Sequence, residues 1–501
     1  MFNRKYKVIR TWGLDSLPPL VSLSVMETRN IFRNISPIDH RYSISEEQVY
    51  ESLVPWISEE ASIAACVKAE IALIAAHLSL RGKLSPAVRE QLENAAAAVT
   101  PTEVYDEEEK TRHNIRALVN VLKRKVPQEF APLIHLGATS VDILDTSLSY
   151  RMAGLTREFI LPLLKKLELL LCKFAEREAQ TPQVGRTHGQ HAVPITLGFA
   201  IAEYVSRLGK SILEIEKRSK ELKGKLAGAV GAYNATSMIV KDPEELERLY
   251  LAELGLEPSE HSTQLVEPEY LLRLLLEFNV AFGVIANLAD DLRNLQRSEI
   301  GEVREGFAAD QVGSSTMPQK RNPWNSEHVK SLWKAFMPRV NTFFMDQISE
   351  HQRDLTNSAS QRFIADYAAG FCLAVSRMTS VIEGLGADRT RLLANLRSGN
   401  IPGGVMAEPA YILLAESGVT DAHEVIRKIT LNAEKENASF SQALSNEPDV
   451  LKRISCKMRE LGIVDSEADA RSFFENPERY KGLAAEKAKA LSQKYKKLME
   501  A

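Results

Sequence analysis

LLRLLLEFNVAFGVIANLADDL, residues 271–292, predicts the architecture of the whole 501-residue chain. Leu271, Leu275, Phe278, Phe282, Ile285, Ala289 and Leu292 recur at spacings of three and four, the repeat of one face of an α-helix. Most of the remaining circumference is also apolar, so this helix belongs at the centre of a bundle. Arg273, Glu277 and Asn287 interrupt it too often for a membrane span. Outward along the chain the spacing returns in Ile160, Leu163, Leu167, Leu170 and Phe174, and similar segments cover 195–222, 327–348 and 363–382. Alternating stretches of the β type are nearly absent. The expected class is all-α, built on a central bundle of about five long helices.

Three helical domains and an extension are expected along the chain. Residues 1–30 are basic (Arg4, Lys5, Lys7, Arg10), carry Pro18-Pro19, and read as a loosely ordered extension. A small N-terminal domain covers 31–130, where the Ala-, Glu- and Leu-rich run from Glu46 to Val99 predicts several short helices. The bundle covers 131–390. After Gly399-Asn400-Ile401-Pro402-Gly403-Gly404, shorter and more charged helices form a third domain over 391–501. Hydrophobic residues at 44%, charged residues at 26% and a net charge of -3 give no reason to expect a nucleic-acid surface. No uninterrupted apolar run reaches membrane length, and the ten histidines form no metal-ligand cluster. Cys66, Cys172, Cys372 and Cys456 lie far apart in helical, largely apolar contexts, which predicts buried, reduced thiols in a cytoplasmic protein.

Polar stretches interrupt the helical pattern at expected helix ends. These are Thr111-Arg112-His113-Asn114, then His135-Leu-Gly-Ala-Thr139-Ser140-Val-Asp142, then Gly185-Arg186-Thr187-His188-Gly189-Gln190-His191. A further one, Gly313-Ser314-Ser315-Thr316-Met317-Pro318-Gln319-Lys320-Arg321-Asn322-Pro323, is broken by Gly306, Gly313 and Pro318 and should be a loop. Its hydroxyl, ammonium, guanidinium and amide donors suit a carboxylate-bearing ligand. The stretch Arg353-Asp354-Leu355-Thr356-Asn357-Ser358 and the nearby Arg362 matter too. Ser358 and Arg362, four apart, would share a helical face and suit a phosphate.

The 313–323 stretch resembles the signature loop of the fumarase/aspartase superfamily, lyases that release fumarate by β-elimination. Among its families the chain resembles the adenylosuccinate lyases. Ser36-Pro37-Ile38-Asp39-His40-Arg41-Tyr42 is similar to their N-terminal phosphate-binding segment, and residues 353–362 to the segment that grips the nucleotide phosphate. Thr111-Arg112-His113-Asn114 is similar to their Thr-Arg-His-Asp motif, with Asn114 in place of Asp. The resemblance runs from about residue 35 to the stretch starting at Tyr480. It implies a homotetramer in which regions 135–142, 185–194 and 306–327 from three subunits build each site. Two substrates are implied, adenylosuccinate, giving AMP, and SAICAR, giving AICAR, both in purine biosynthesis. No metal or organic cofactor is implied, because the substrate carboxylate takes up the electrons.

The same resemblance implies roles. Proton removal beside a carboxylate gives a doubly charged aci intermediate, so a base, stabilising cations and an acid for the departing nitrogen are needed. Ser314 is the implied base, activated inside a closed loop that excludes water. Lys320 and Asn322 bind carboxylates and stabilise charge. His188 is the implied acid, since histidine changes charge near neutral pH, and Glu327 orients it. His113 is carried over as a second active-site histidine, and for His135 a place in the site and structural support of it stay equally open. Substrate contacts carried over are Arg41, Tyr42, Arg112, Asn114, Thr139, Ser140, Gln264, Ser315, Arg353, Ser358 and Arg362. His328 stands where superfamily members vary and receives no role. Gln319 is similar to argininosuccinate lyases, and residues 189–194 to the carboxymuconate cycloisomerases. Neither of those substrates carries a phosphate, which sets both readings below the first. A crystallin-like structural protein would not need Ser314, His188, Lys320 and Glu327 together.

Overall fold

The computed structural model describes residues 31–307 and 315–500. The expected extension over 1–30 lies outside the described residues. The main helices are α1 (Glu59–Leu80), α2 (Ser140–Leu155), α3 (Leu161–Arg177), α4 (Leu197–Lys220), α5 (Glu269–Leu295), α6 (Trp324–Phe336), α7 (Ile364–Glu383) and α8 (Ala484–Glu500). The class is all-α, as the helical repeat implies. α5 is long and apolar enough to cross a membrane, but it lies in the bundle with most of its apolar side chains buried.

α5 packs on α4, α6 and α7, while α3 packs on α4 and α7. Phe278 and Phe282 of α5 bury against Phe371 of α7, with ring centroids 5.4 and 5.5 Å apart. Burying such a side chain contributes about 1.5–3 kcal/mol, so this face fixes the bundle. α6 and α7 approach closely because residue 370 is glycine. A Cβ there would meet the Phe336 ring at 2.3 Å.

Among the described residues there are three hydrophobic cores, and chain segments cross between the stretches the sequence suggests. The core around α1 and residues 115–134 also takes in Leu226, Leu246, Tyr250, Leu251, Leu254 and Leu256. α8, at the end of the chain, returns to pack on α3 and α4, placing Tyr495 and Met499 in the bundle core. The third core runs from Leu396 to Phe474 and includes Val184 from the middle of the chain.

Two local expectations are corrected. Three helices lie within 46–99, Glu47–Ile57, α1 and Pro86–Ala97; the first and last are short as expected, whereas α1 runs for 22 residues because Ser58 caps its start and nothing breaks it before Arg81 and Gly82. Residues 182–196 form an antiparallel hairpin, β1 (Pro182–Thr187) and β2 (Gln190–Thr196), rather than the lead-in to a helix. Cys66, Cys172 and Cys372 are buried as expected, whereas Cys456 lies exposed on its helix, and all four are free thiols.

Candidate active site

The signature loop is pinned at its base by a residue just before it. The Glu305 carboxylate accepts from the backbone N–H of Asn325 (3.3 Å) and Ser326 (2.9 Å), and from Ser326 Oγ (2.5 Å). Those amides belong to the first turn of α6, whose donors have no partner within the helix. Gln296, following α5, accepts from Glu305 N at 2.8 Å. One carboxylate thus ties the start of the loop to its end. Ser314, the implied base, lies outside the described residues. Ser315 and Lys320 are exposed and Asn322 is half-buried. Lys320, Asn322 and Glu327 line one open cleft with Arg293, Asn294 and Arg297 at the end of α5. The cleft gathers cations and amides of the kind that hold carboxylates.

Arg41 and Tyr42 reach the same end of α6. They close the π-helical turn Ile38–Tyr42. The Tyr42 hydroxyl lies 2.9 Å from His328 Nε2. A few residues on, Glu46 forms an ion pair with Arg377 of α7 at 2.6 Å, and Arg377 also donates to Asn325 Oδ1 at 3.0 Å. Burial, and the charges of Arg377 and Arg41, hold the His328 imidazole below its ordinary pKa.

His188 and Gly189 are the two-residue turn of the β1–β2 hairpin, with φ of +54° and +74°. A turn with both central residues left-handed matches strand twist, which is why the chain makes a hairpin here. Glycine adopts that geometry freely. Histidine does so rarely, and such strain gathers at functional sites. The hairpin is rooted by Val184 in the third core and by the fully buried Glu302. Glu302 accepts from Arg186 (2.5 and 3.2 Å), Gln183 (2.8 Å) and Asn395 (2.9 Å). His188 itself is exposed, and among the described residues it shares no hydrogen bond or ion pair with Glu327.

Thr139 and Ser140 open α2. Thr139 N–H donates to Asp142 at 2.7 Å, and Asp142 is held by a fully buried ion pair with Lys225. Lys225 also donates to Gly228 O at 3.1 Å. One turn along, the Asp145 carboxylate accepts from Val266 N–H at 3.1 Å, fixing the loop that carries Gln264. Burial lifts the Asp145 pKa to about 6, against the opposing pull of that N–H and of Lys225. Gln264 N–H in turn donates to Gln352 O at 3.2 Å, beside Arg353. Arg353 has φ +78°, and its guanidinium donates to Gln347 O (2.6 Å) and Ser349 Oγ (3.1 Å).

Ser358 and Arg362 do not share an α-helical face. Ser358 lies in a turn, Arg362 in the 3-10 turn Ser360–Phe363, and α7 begins only at Ile364. Asp354 and Ser360 compete with the helix by bonding locally, to Thr356 and to Asn357 O. Arg362 is close enough to Tyr105 for its charge to act on that phenol, whose pKa burial raises to about 12. That places Arg362 near the helix Pro101–Thr111, which ends at left-handed Arg112. His113 caps the next helix, its Nδ1 accepting from Arg116 N–H at 3.2 Å, and Asn114 Oδ1 accepts from Ile115 N–H at 2.8 Å. His135, with φ +59°, is gripped by buried Glu70 through its backbone N–H (2.9 Å) and Nδ1 (2.7 Å), a supporting arrangement.

By their contacts, the described candidate residues fall into groups: Tyr42 with His328, Lys320 and Asn322 with Glu327 along the cleft, Thr139 and Ser140 linked through Asp145 to the loop of Gln264 and on to Arg353, and His188 on its hairpin. Glu305, Glu302, Lys225, Asp145 and Arg377 support them and were not singled out by sequence. Apart from Glu305, whose partners lie 9 to 21 residues away, each reaches a partner distant along the chain, and only the fold brings them together.

Comparison with known proteins identifies the family. Residues 36–335 match the family model described as Lyase, and 349–465 match Adenylosuccinate lyase C-terminal. The adenylosuccinate lyase of Pyrococcus abyssi is 33% identical over 84% of this chain and 92% of its own. That of Archaeoglobus fulgidus is 30% identical over 83% and 91%. In fold, the chain is similar to the 3-carboxy-cis,cis-muconate lactonizing enzyme from Pseudomonas putida, with a TM-score of 0.75 and 24% identity over 90% of this chain and 98% of that one. The bundle and loop define a lyase of the fumarase/aspartase superfamily. Within that superfamily, the chain belongs to the adenylosuccinate lyase family.

Proposed function

We propose that the chain is a carbon–nitrogen lyase that eliminates fumarate from adenylosuccinate, giving AMP, and from SAICAR, giving AICAR, in purine biosynthesis in the cytoplasm. The observation that carries this is identity of 30% or more, over more than four fifths of the chain, to proteins named adenylosuccinate lyase. The argininosuccinate lyase, cycloisomerase and structural readings are not favoured by these relatives.

In the proposed reaction Ser314 takes the proton, Lys320 and Asn322 bear the developing aci charge, and His188 protonates the departing nitrogen with Glu327 orienting it. His113, Arg112 and Asn114 line the substrate's other side. Arg41, Tyr42, Thr139, Ser140, Gln264, Ser315, Arg353, Ser358 and Arg362 bind substrate. By the family resemblance the working form is a homotetramer with sites shared between copies, a reading that the grouping of these residues within one chain supports. Exposed Met345, Ile348, Leu355 and Phe363 offer apolar surface for such contacts. Purified protein incubated with adenylosuccinate should lose substrate absorbance as fumarate appears, and Ser314→Ala should abolish both. Cleavage of argininosuccinate instead would mean that residues 353–362 do not grip a phosphate.

A further inference from the structure

His328 is a side chain that the proposed reaction leaves without a task, yet it sits at a built junction. The segment 38–46 packs on α7 and is fastened at two points. Its far end is held by Glu46, which binds Arg377 at 2.6 Å and accepts from Ser376 Oγ at 3.3 Å. Its near end is held by the contact between Tyr42 and His328 Nε2. The imidazole stands edge-on to two rings, Tyr42 at 5.8 Å and 72° and Trp324 at 6.1 Å and 90°, so its orientation is fixed from both sides. Arg377 lies over the Trp324 ring at 5.2 Å and closes the junction. The next residue back, Glu327, faces the cleft with Lys320 and Asn322.

We propose that His328 is a positioning residue: its neutral imidazole accepts the Tyr42 hydroxyl proton at Nε2 and so sets Arg41 and Tyr42 beside the cleft lined by the signature loop. This rests on the reading of Arg41 and Tyr42 as substrate contacts. The charged groups facing the imidazole are Arg41 and Arg377. Both oppose its protonation, as does burial, and Glu46 is engaged with Arg377 rather than with the ring. A neutral ring protonated at Nδ1 leaves Nε2 as an acceptor, whereas an imidazolium would present N–H to the phenol and turn its proton away. The phenol is thereby directed, and the segment's second fastening point depends on one bond.

Steady-state kinetics on the purified full chain with adenylosuccinate test this. His328→Phe keeps a ring of similar shape and removes the acceptor. It should raise KM about five- to tenfold, the worth of one such bond, with kcat within about twofold. His328→Gln, which retains an acceptor, should restore most of the affinity. Tyr42→Phe should raise KM similarly, and the double variant Tyr42→Phe/His328→Phe should be no worse than Tyr42→Phe alone, because both delete the same contact. A raised KM in Tyr42→Phe but not in His328→Phe overturns the inference alone. So does a fall in Tm for His328→Phe with KM unmoved, or effects that simply add. An unchanged KM in Tyr42→Phe overturns the reading of that segment as a substrate contact, and the inference with it.

Discussion

The exposed tips of the site and its buried roots obey opposite physics. His188, Lys320 and Glu327 are exposed, and His188 sits at a strained left-handed turn. Asp142, Lys225 and Glu302 are fully buried, each with partners on distant segments. A tip changes what happens to substrate and little in the fold. A root holds a tip in place, and its loss leaves an unpaired charge out of water. Chemistry and stability should therefore separate on substitution.

The sharpest break is at a tip. His188→Ala should lower kcat about 10²–10⁴-fold, while Tm in a thermal melt stays at the parent value. At a root the pattern should invert. Lys225→Met strands the Asp142 carboxylate and should cost about 3–5 kcal/mol of stability in denaturant unfolding, with kcat of the remaining folded protein little changed. Glu305 stands between the two classes, since it caps α6 and closes the loop. Glu305→Ala should cost about 0.5–2 kcal/mol and lower kcat as well, and an effect on only one of these would assign it to a single class.

The smallest effect concerns pH. Burial raises the Asp145 pKa to about 6, above the ordinary carboxyl value of about 3.9. Between those two values the native state binds more protons than the unfolded state, so this group's contribution falls as pH rises through the window. Asp145→Asn removes the titration. Its Tm relative to the parent should rise from pH 4 to pH 7, and a constant difference would contradict the assignment.

The bundle was legible because α5 shows the period of its own packing, and Phe278 and Phe282 lie where that period puts them. The signature loop was legible because its composition departs from its helical surroundings. The hairpin was missed, although His188-Gly189 between Val184 and Val193 is a short turn between apolar positions. Gln and His around the turn hid the alternation. The Ser358–Arg362 face failed because Asp354 and Ser360 form local bonds that delay the helix to Ile364. The ties at the roots had no local signature at all. Lys225 finds Asp142 across 83 positions and Gln183 finds Glu302 across 119, so neither pairing can be read from neighbours.

The tips of one chain lie in separate groups, and the central claim is that they meet between copies. The direct test mixes two inactive proteins, His188→Ala and Lys320→Ala, after dissociating both and letting them reassemble together. Fumarate release from adenylosuccinate should reappear in the mixed oligomers, because some sites then take an intact hairpin from one copy and an intact loop from another. Mixed oligomers that form but show no more activity than the two parents would contradict shared sites and require each chain to complete its own.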